Sequence, residues 1–436
     1  MKQTKFSTWT VLILTTMTLL TVSLRAQQPT RQDTLVELMR RIDILTQEIE
    51  KTKLGEVAEP NYERRYGMGP AASRVYHLAK TGVSLAGYGE VVYENFSSEK
   101  DDGSDSGKAD KIDFLRHVTY FGYRFNDRFL FNSEIELEHA KTGEGSSGEV
   151  SVEFAYIEAM LSKAVNFRAG MVLTPVGIIN ELHEPPIFPG TLRPEVERRI
   201  VPSTWRANGL GLVGEAATGL NYKIYVTESL RAAAFSSDGV RSGRQNGAKA
   251  VAENLAVSGR LGYSGIPGLD IAGSFFLGNT GQDLVDSAGN DIDAFYTLWS
   301  VHAIFARRGL ELRGLFAQST IDDVTKLNDA LGLTGSSSIG EKQSGYYLTA
   351  AYDVMPLLVR GTTHYLAPYI QYEQLDTQDN VPSAFSKNPA RKRQNFYLGL
   401  TYKPIPNIAF KIDYVNRDDD ADSAVDQFNL AMNYLF

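Results

Sequence analysis

The last eleven residues, 426-DQFNLAMNYLF-436, alternate without a break. Phe428, Leu430, Met432, Tyr434 and Phe436 fall on one side, and Gln427, Asn429, Ala431 and Asn433 on the other. Period two makes a strand with one apolar and one polar face. Such a strand suits the seam of a closed membrane barrel, where the apolar face meets lipid. Its meaning depends on whether the rest of the chain repeats it.

The repeat is there. Working back from the C-terminus, Ile408, Phe410, Ile412 and Tyr414 alternate with polar or small residues, as do Phe396, Leu398, Leu400 and Tyr402. Leu220, Tyr222, Ile224 and Val226 oppose Asn221, Lys223 and Thr227, and Phe129, Phe131, Ile135 and Leu137 oppose Asn132, Glu134, Glu136 and Glu138. Sixteen segments of this kind start near residues 82, 112, 128, 149, 165, 207, 220, 253, 268, 292, 309, 342, 362, 391, 407 and 424. Several are ambiguous in phase, notably Glu149–Ser162 and Ile292–Ala306, where a bulge would shift the register. The connections alternate long and short from the first strand to the last. Asn126–Asp127, Thr218–Gly219 and Arg307–Arg308 are short, while Ser97–Lys111, Pro175–Arg206 and Asp322–Glu341 are long. Short turns at one end and long loops at the other are the asymmetry of outer-membrane barrels, and a soluble sandwich has no reason to show it. The expected fold is all-β, a sixteen-stranded antiparallel transmembrane β-barrel over residues 82–436.

Ahead of the barrel the chain reads as three pieces. Residues 1–26 have a basic start (Lys2, Lys5), an apolar stretch from Val11 to Leu24 and Ala26 before a cleavage point, which is a secretory signal peptide. Residues 27–54 hold Leu35, Leu38, Ile42, Leu45 and Ile49, the three-and-four spacing of a coiled-coil seam about three heptads long. The expected element is a short periplasmic α-helix that oligomerises the chain or binds another partner. Residues 55–81, with Pro60, Gly67, Gly69 and Pro70, read as a linker. Export places the mature protein in the bacterial outer membrane, in contact with its lipid. A C-terminal aromatic, Phe436 with Tyr434 before it, is similar to the signal by which the barrel assembly machinery recognises its clients.

Composition narrows the function classes. With no cysteine, a disulfide framework is excluded. The formal charge of −8, about −11 once Lys2, Lys5 and Arg25 leave with the signal, disfavours nucleic acid. No cofactor and no metal site is expected: His77, His117, His139, His183, His302 and His364 show no ligand spacing, and no phosphate-cradling glycine loop occurs. Catalysis is not expected either, since no serine stands in a nucleophile-elbow context. The acidic runs Lys100–Asp105 and Arg417–Asp422 lack the closing glutamate of a calcium loop and read as solvated charge.

Sixteen strands are wide enough for an aqueous channel, so the lumen carries the functional reading. Pro175–Arg206 contains Pro175, Pro185, Pro186, Pro189, Pro194 and Pro202 and cannot extend the wall, because proline has no N–H for a strand ladder. Its apolar residues (Ile178, Ile179, Leu182, Ile187, Phe188, Ile200, Val201) fit a loop folded inward rather than one in solvent. Candidate pore residues on it are Glu181, His183, Glu184, Arg193, Glu195, Glu197, Arg198, Arg199 and Arg206, in which four arginines balance four glutamates. The same residues could instead pair with one another to hold the loop on the wall. Candidate lumen-wall residues are Arg116, Arg124, Arg168, Lys223, Arg260 and Arg313, facing Glu134, Glu136 and Glu138. Opposed clusters of both signs describe a general diffusion channel more than a strongly selective one.

The run ELHEPPIFPGTLRPEVERRIVPSTWRANGLGLVGE, residues 181–215, resembles the third-loop region of the phosphate-selective porins O and P. The resemblance covers the layout of the mature chain and is specific around Thr174–Glu215 and at Phe436. It implies a homotrimer that lets small hydrophilic solutes or ions diffuse passively past the inward third loop. It also raises anion or phosphate selectivity, for which no basic ladder can be matched residue by residue. The remaining alternative is a structural barrel that displays loops and tethers a periplasmic helix.

Overall fold

The structure, a computed structural model, describes residues 64–436. The signal peptide, the coiled-coil seam at Leu35–Ile49 and the first part of the 55–81 stretch lie outside the described residues. Sixteen strands run in order: β1 (Gly82–Phe96), β2 (Lys111–Arg124), β3 (Phe129–Glu138), β4 (Val150–Met160), β5 (Asn166–Leu173), β6 (Arg206–Ala217), β7 (Leu220–Glu228) and β8 (Leu255–Tyr263). They continue with β9 (Leu269–Gly278), β10 (Tyr296–Arg307), β11 (Leu310–Ile321), β12 (Lys342–Tyr352), β13 (Tyr365–Asn380), β14 (Lys392–Ile405), β15 (Ile408–Asp419) and β16 (Gln427–Leu435). Each pairs antiparallel with its neighbours in sequence, and β16 pairs with β1, closing the barrel. Closure leaves no strand edge with unpaired N–H and C=O groups, which hydrocarbon would not tolerate.

The alternation places residues as the sequence reading expects. On β16, Leu430, Met432 and Phe436 are exposed, while Gln427, Asn429 and Asn433 are buried. The same inversion holds around the wall: Leu85, Ile112, Val301, Leu348, Leu398 and Phe410 face outward, and Glu90, Arg116, Glu134, Arg168, Lys223 and Lys411 face inward. In water such a belt would drive association; against lipid it is the required surface. The phase ambiguity at Glu149–Ser162 has a physical source, because the β3–β4 pairing slips between Glu134 and Ile135. That at Ile292–Ala306 has another, since Ile292 and Ala294 are buried before β10 begins and the strand itself pairs without a shift.

Two readings need correcting. The connections do not alternate in length without exception. Residues 353–364, on the short-turn side, include a helical turn, Met355–Leu358, and outrun the nominally long 420–426. The sequence signal missed is Met355-Pro356, a helix start with proline in its first turn. The second concerns the end of the 55–81 stretch. Residues 64–78 are not a free linker but line the inner wall, with Tyr66, Met68, Ala71, Ala72 and Val75 packed on Tyr88, Val118, Leu130, Phe154 and Tyr156. Asn132 donates to the Ala72 carbonyl (2.9 Å), Asn166 to the Tyr66 hydroxyl (2.9 Å), and Tyr76 donates to Glu158 (2.7 Å). Two glycines and two prolines suggest a linker, yet the apolar residues among them dock this stretch on the wall.

Candidate functional site

The 174–205 connection has no ladder to satisfy its backbone, and a buried irregular segment must find partners elsewhere. It finds them on the inward-facing side chains of the wall. Lys411 donates to the carbonyls of Pro185 (2.7 Å), Phe188 (2.7 Å) and Gly190 (2.8 Å). Thr401 donates to the Pro189 carbonyl (2.7 Å), and Arg313 to that of Ile187. Asp413 accepts from the Thr191 N–H (2.8 Å) and from the Thr191 and Tyr369 hydroxyls. The loop's apolar residues meet a matching arc of wall: Val176, Ile178, Ile179, Leu182, Ile200, Val201 and Trp205 pack with Phe276, Tyr296, Leu298, Leu315 and Tyr347 from β9 to β12. Prolines and apolar side chains therefore place the loop inside the barrel.

The candidate residues separate into two groups. Glu181 pairs with Lys223. His183 Nε2 lies 2.9 Å from Glu134 and 3.6 Å from Glu153. Glu184 accepts from the Ala72 N–H (3.0 Å), and Glu197 accepts from the amides of Ile178 (2.7 Å) and Ile179 (2.6 Å) and from the Tyr347 hydroxyl (2.5 Å). Arg206 reaches Glu153 at 3.1 Å. All of these are buried anchors. Burial pushes the Glu184 carboxyl up to about 7, against the Ala72 amide that favours its anion. Burial works against a charged His183, but Glu134 and Glu153 outweigh it and lift the ring to about 9. On the wall, Arg116 bridges Glu90 (2.7 Å) and Glu136 (3.2 Å), Arg168 is held by Glu158 (2.7 Å), and Arg260 by Asp270 (3.2 Å). Arg313 pairs with Glu311 (2.5 Å), while Arg124 sits at the turn end of β2 beside Asp127.

Arg193, Glu195, Arg198 and Arg199 form the other group, and all four line a cavity of about 610 Å³. Its remaining walls come from the far ends of β1–β3 and β14–β16, including Glu90, Glu94, Arg116, Glu138, Arg393 and Arg417, and from Arg241 in the 229–254 connection. The balance of four arginines against four glutamates does not survive folding. Glu181, Glu184 and Glu197 are drawn away to anchor the loop, and Arg206 with them, leaving three arginines and Glu195 at the cavity. Glu195 pairs with Arg199 (2.6 Å) and Arg198 (3.3 Å) across one helical turn, α1 (Val196–Arg199). Burial opposes its charge, but Arg199, Arg417 and Arg198 prevail and hold the carboxyl near 2.

The sequence reading missed Arg241, Arg244, Arg391, Arg393 and Asp238. Asp238 accepts from Arg199, Arg391 (2.6 Å) and Arg393 (2.9 Å), tying three segments together. No local spacing announces this, because the residues come from three separate connections and strand ends. Arg193, Arg241 and Arg393 each keep a buried guanidinium nitrogen without a hydrogen-bond partner. Burial, then Arg244, Arg198 and Arg193, press the Arg241 guanidinium down to about 8. For a group that holds its proton so firmly, this is an unmet demand for negative charge.

No family model matches the chain. It is 35% identical over 395 residues to an uncharacterized protein of Aquifex aeolicus (strain VF5), across 88% of this chain and 87% of that one. Among solved structures it is similar to Salmonella typhi OmpF in complex with daunomycin (TM-score 0.54, 15% identity, 82% of this chain and 98% of that one). It is also similar to the trimer form of Vibrio cholerae OmpT (TM-score 0.51, 12% identity, 82% and 100%) and to the anion-selective porin from Comamonas acidovorans (TM-score 0.50, 11% identity, 82% and 100%). At these identities the likeness is one of fold. The chain has the sixteen-stranded porin fold and belongs to one family with the Aquifex aeolicus protein.

Proposed function

We propose that this protein is an outer-membrane porin through which small hydrophilic solutes or ions diffuse passively, narrowed by the 174–205 loop. The carrying observation is a closed barrel whose wall is apolar outside and charged inside, around a cavity of about 610 Å³ edged by that loop. Export by residues 1–26, insertion through the barrel assembly machinery at Tyr434 and Phe436, and assembly as a homotrimer belong to the same reading. The trimer form of Vibrio cholerae OmpT supports the last of these. Purified, folded protein should conduct ions in planar bilayers; stable barrels that never conduct would refute the reading and favour a display or tethering barrel.

Anion preference is the second reading, and it would bring the chain near the phosphate-selective porins O and P. Three loop arginines against one glutamate at the cavity, and several arginines there with free buried nitrogens, favour it. Fixed positive groups along the path raise the local anion concentration. The reversal potential in a salt gradient decides: an anion preference sustains it, and a cation preference dismisses it.

A further inference from the structure

His183 offers a site beyond the channel. Its Nδ1 lies 3.1 Å from the Asn180 carbonyl oxygen, which can only accept, so Nδ1 carries the ring's hydrogen. In the neutral ring Nε2 then holds a lone pair, and it points at two carboxylates, Glu134 Oε1 at 2.9 Å and Glu153 Oε2 at 3.6 Å. One donor atom from each residue falls within 4.8 Å of the other two, and all three residues are buried. Lone pairs so placed need a cation among them. A proton on Nε2 serves Glu134, but 3.6 Å is too long for a hydrogen bond to Glu153. Glu134 Oε2 and Glu153 Oε2 also lack any hydrogen-bond partner, although neither side chain has exposed surface. Unpartnered buried carboxylate oxygens on two residues whose donor atoms cluster with an imidazole nitrogen call for something more than a proton.

We propose that Glu134, Glu153 and His183 bind a divalent transition-metal ion. Ligand atoms about 2.0–2.2 Å from a tetrahedral ion stand a little over 3 Å from one another, a spacing that 2.9 and 3.6 Å straddle. One imidazole and two carboxylates are a borderline-hard set suited to zinc, iron(II) or manganese. The outer contacts fit as well: the Asn180 carbonyl orients the imidazole, and Arg206 holds the other oxygen of Glu153 at 3.1 Å, as second-layer partners do at metal sites. Water completes the coordination. The ligands come from β3, β4 and the 174–205 loop, so the ion cross-links the loop to the wall. Sequence spacing could not reveal the site, because no two ligands share a local motif.

The test uses the full mature chain, stripped with a chelator and titrated separately with zinc and manganese salts. Binding of one equivalent per chain is expected, with a melting temperature that climbs with metal concentration. Glu153→Gln and His183→Ala should each weaken binding by more than about a hundredfold, since loss of an outer partner alone costs 10–100-fold. X-ray absorption of the loaded protein should show an N/O shell that includes one imidazole. Absence of stoichiometric binding, or binding unchanged in both variants, overturns the proposal. If His183→Ala does not fold, Glu153→Gln, which keeps size and shape, carries the test. Conductance of the stripped protein reports on the channel separately.

Discussion

The lumen has two unlike arcs. From β8 to β13 an apolar patch of the inner wall packs against one side of the 174–205 loop through Trp205, Ile200 and Val201. From β14 round through β16 and β1 to β3 the wall is charged, and the loop's other side faces it across the cavity with Arg193, Arg198 and Arg199. One segment thus turns an apolar face to one arc and a charged face to the other. A barrel this wide does not fill itself with wall side chains; here the filling is supplied by the 174–205 loop and by residues 64–78.

Breaking the apolar arc should give the largest effect. Trp205 is 2% exposed and its ring centroid is 4.4 Å from that of Phe276. Trp205→Ala should cost about 3–5 kcal/mol in stability, read as a lower melting temperature together with larger, noisier single-channel conductance. An unchanged conductance would mean that this arc does not hold the loop.

Reversing charge on the other arc should change selectivity. A unit charge about 4 Å from a passing ion in water is worth about 1 kcal/mol and reversal changes it by two units, so Arg193→Glu and Arg198→Glu should each lower anion permeability by roughly thirtyfold. The shift should shrink in strong salt as screening grows. A reversal potential that stays put would remove these residues from the ion path.

The smallest effect is a pH dependence. Glu195 is held near 2, below its ordinary 4.5, by Arg199, Arg417 and Arg198 against burial. A depressed carboxyl contributes stability that is fully present above pH 4.5 and lost as pH falls from there through about 2. Wild type should therefore melt higher than Glu195→Gln at neutral pH, with the gap closing between pH 4.5 and 2. A gap that persists at pH 2 would assign Glu195 a role other than its ion pairs.

Much of the wall was legible because a barrel writes its geometry in period two. Each strand start lies within a few residues of its expected position, and the inward arginines and glutamates of β2, β3 and β5 point as their phase says. The inward loop was legible too, since prolines barred it from the wall and its apolar residues barred it from solvent. What escaped was everything set by distance in three dimensions. That three of four loop glutamates would turn away from the cavity depended on Lys223, Ala72 and Tyr347, none near them in sequence. The Arg241, Arg393 and Asp238 cluster, and the lining by residues 64–78, share that cause.

The seam between β16 and β1 carries one more consequence. Gly89 stands opposite Tyr434, and a Cβ there would come within 2.3 Å of the tyrosine oxygen. At Gly87 it would come within 2.6 Å of the Phe436 ring. His117 on β2 flanks both rings and meets the Tyr434 hydroxyl at 2.9 Å. The first hairpin therefore contributes to the bed of the last two aromatics two missing side chains and one imidazole. The two ends of the barrel are matched parts: the aromatics that close the chain fit spaces left open on its first strand.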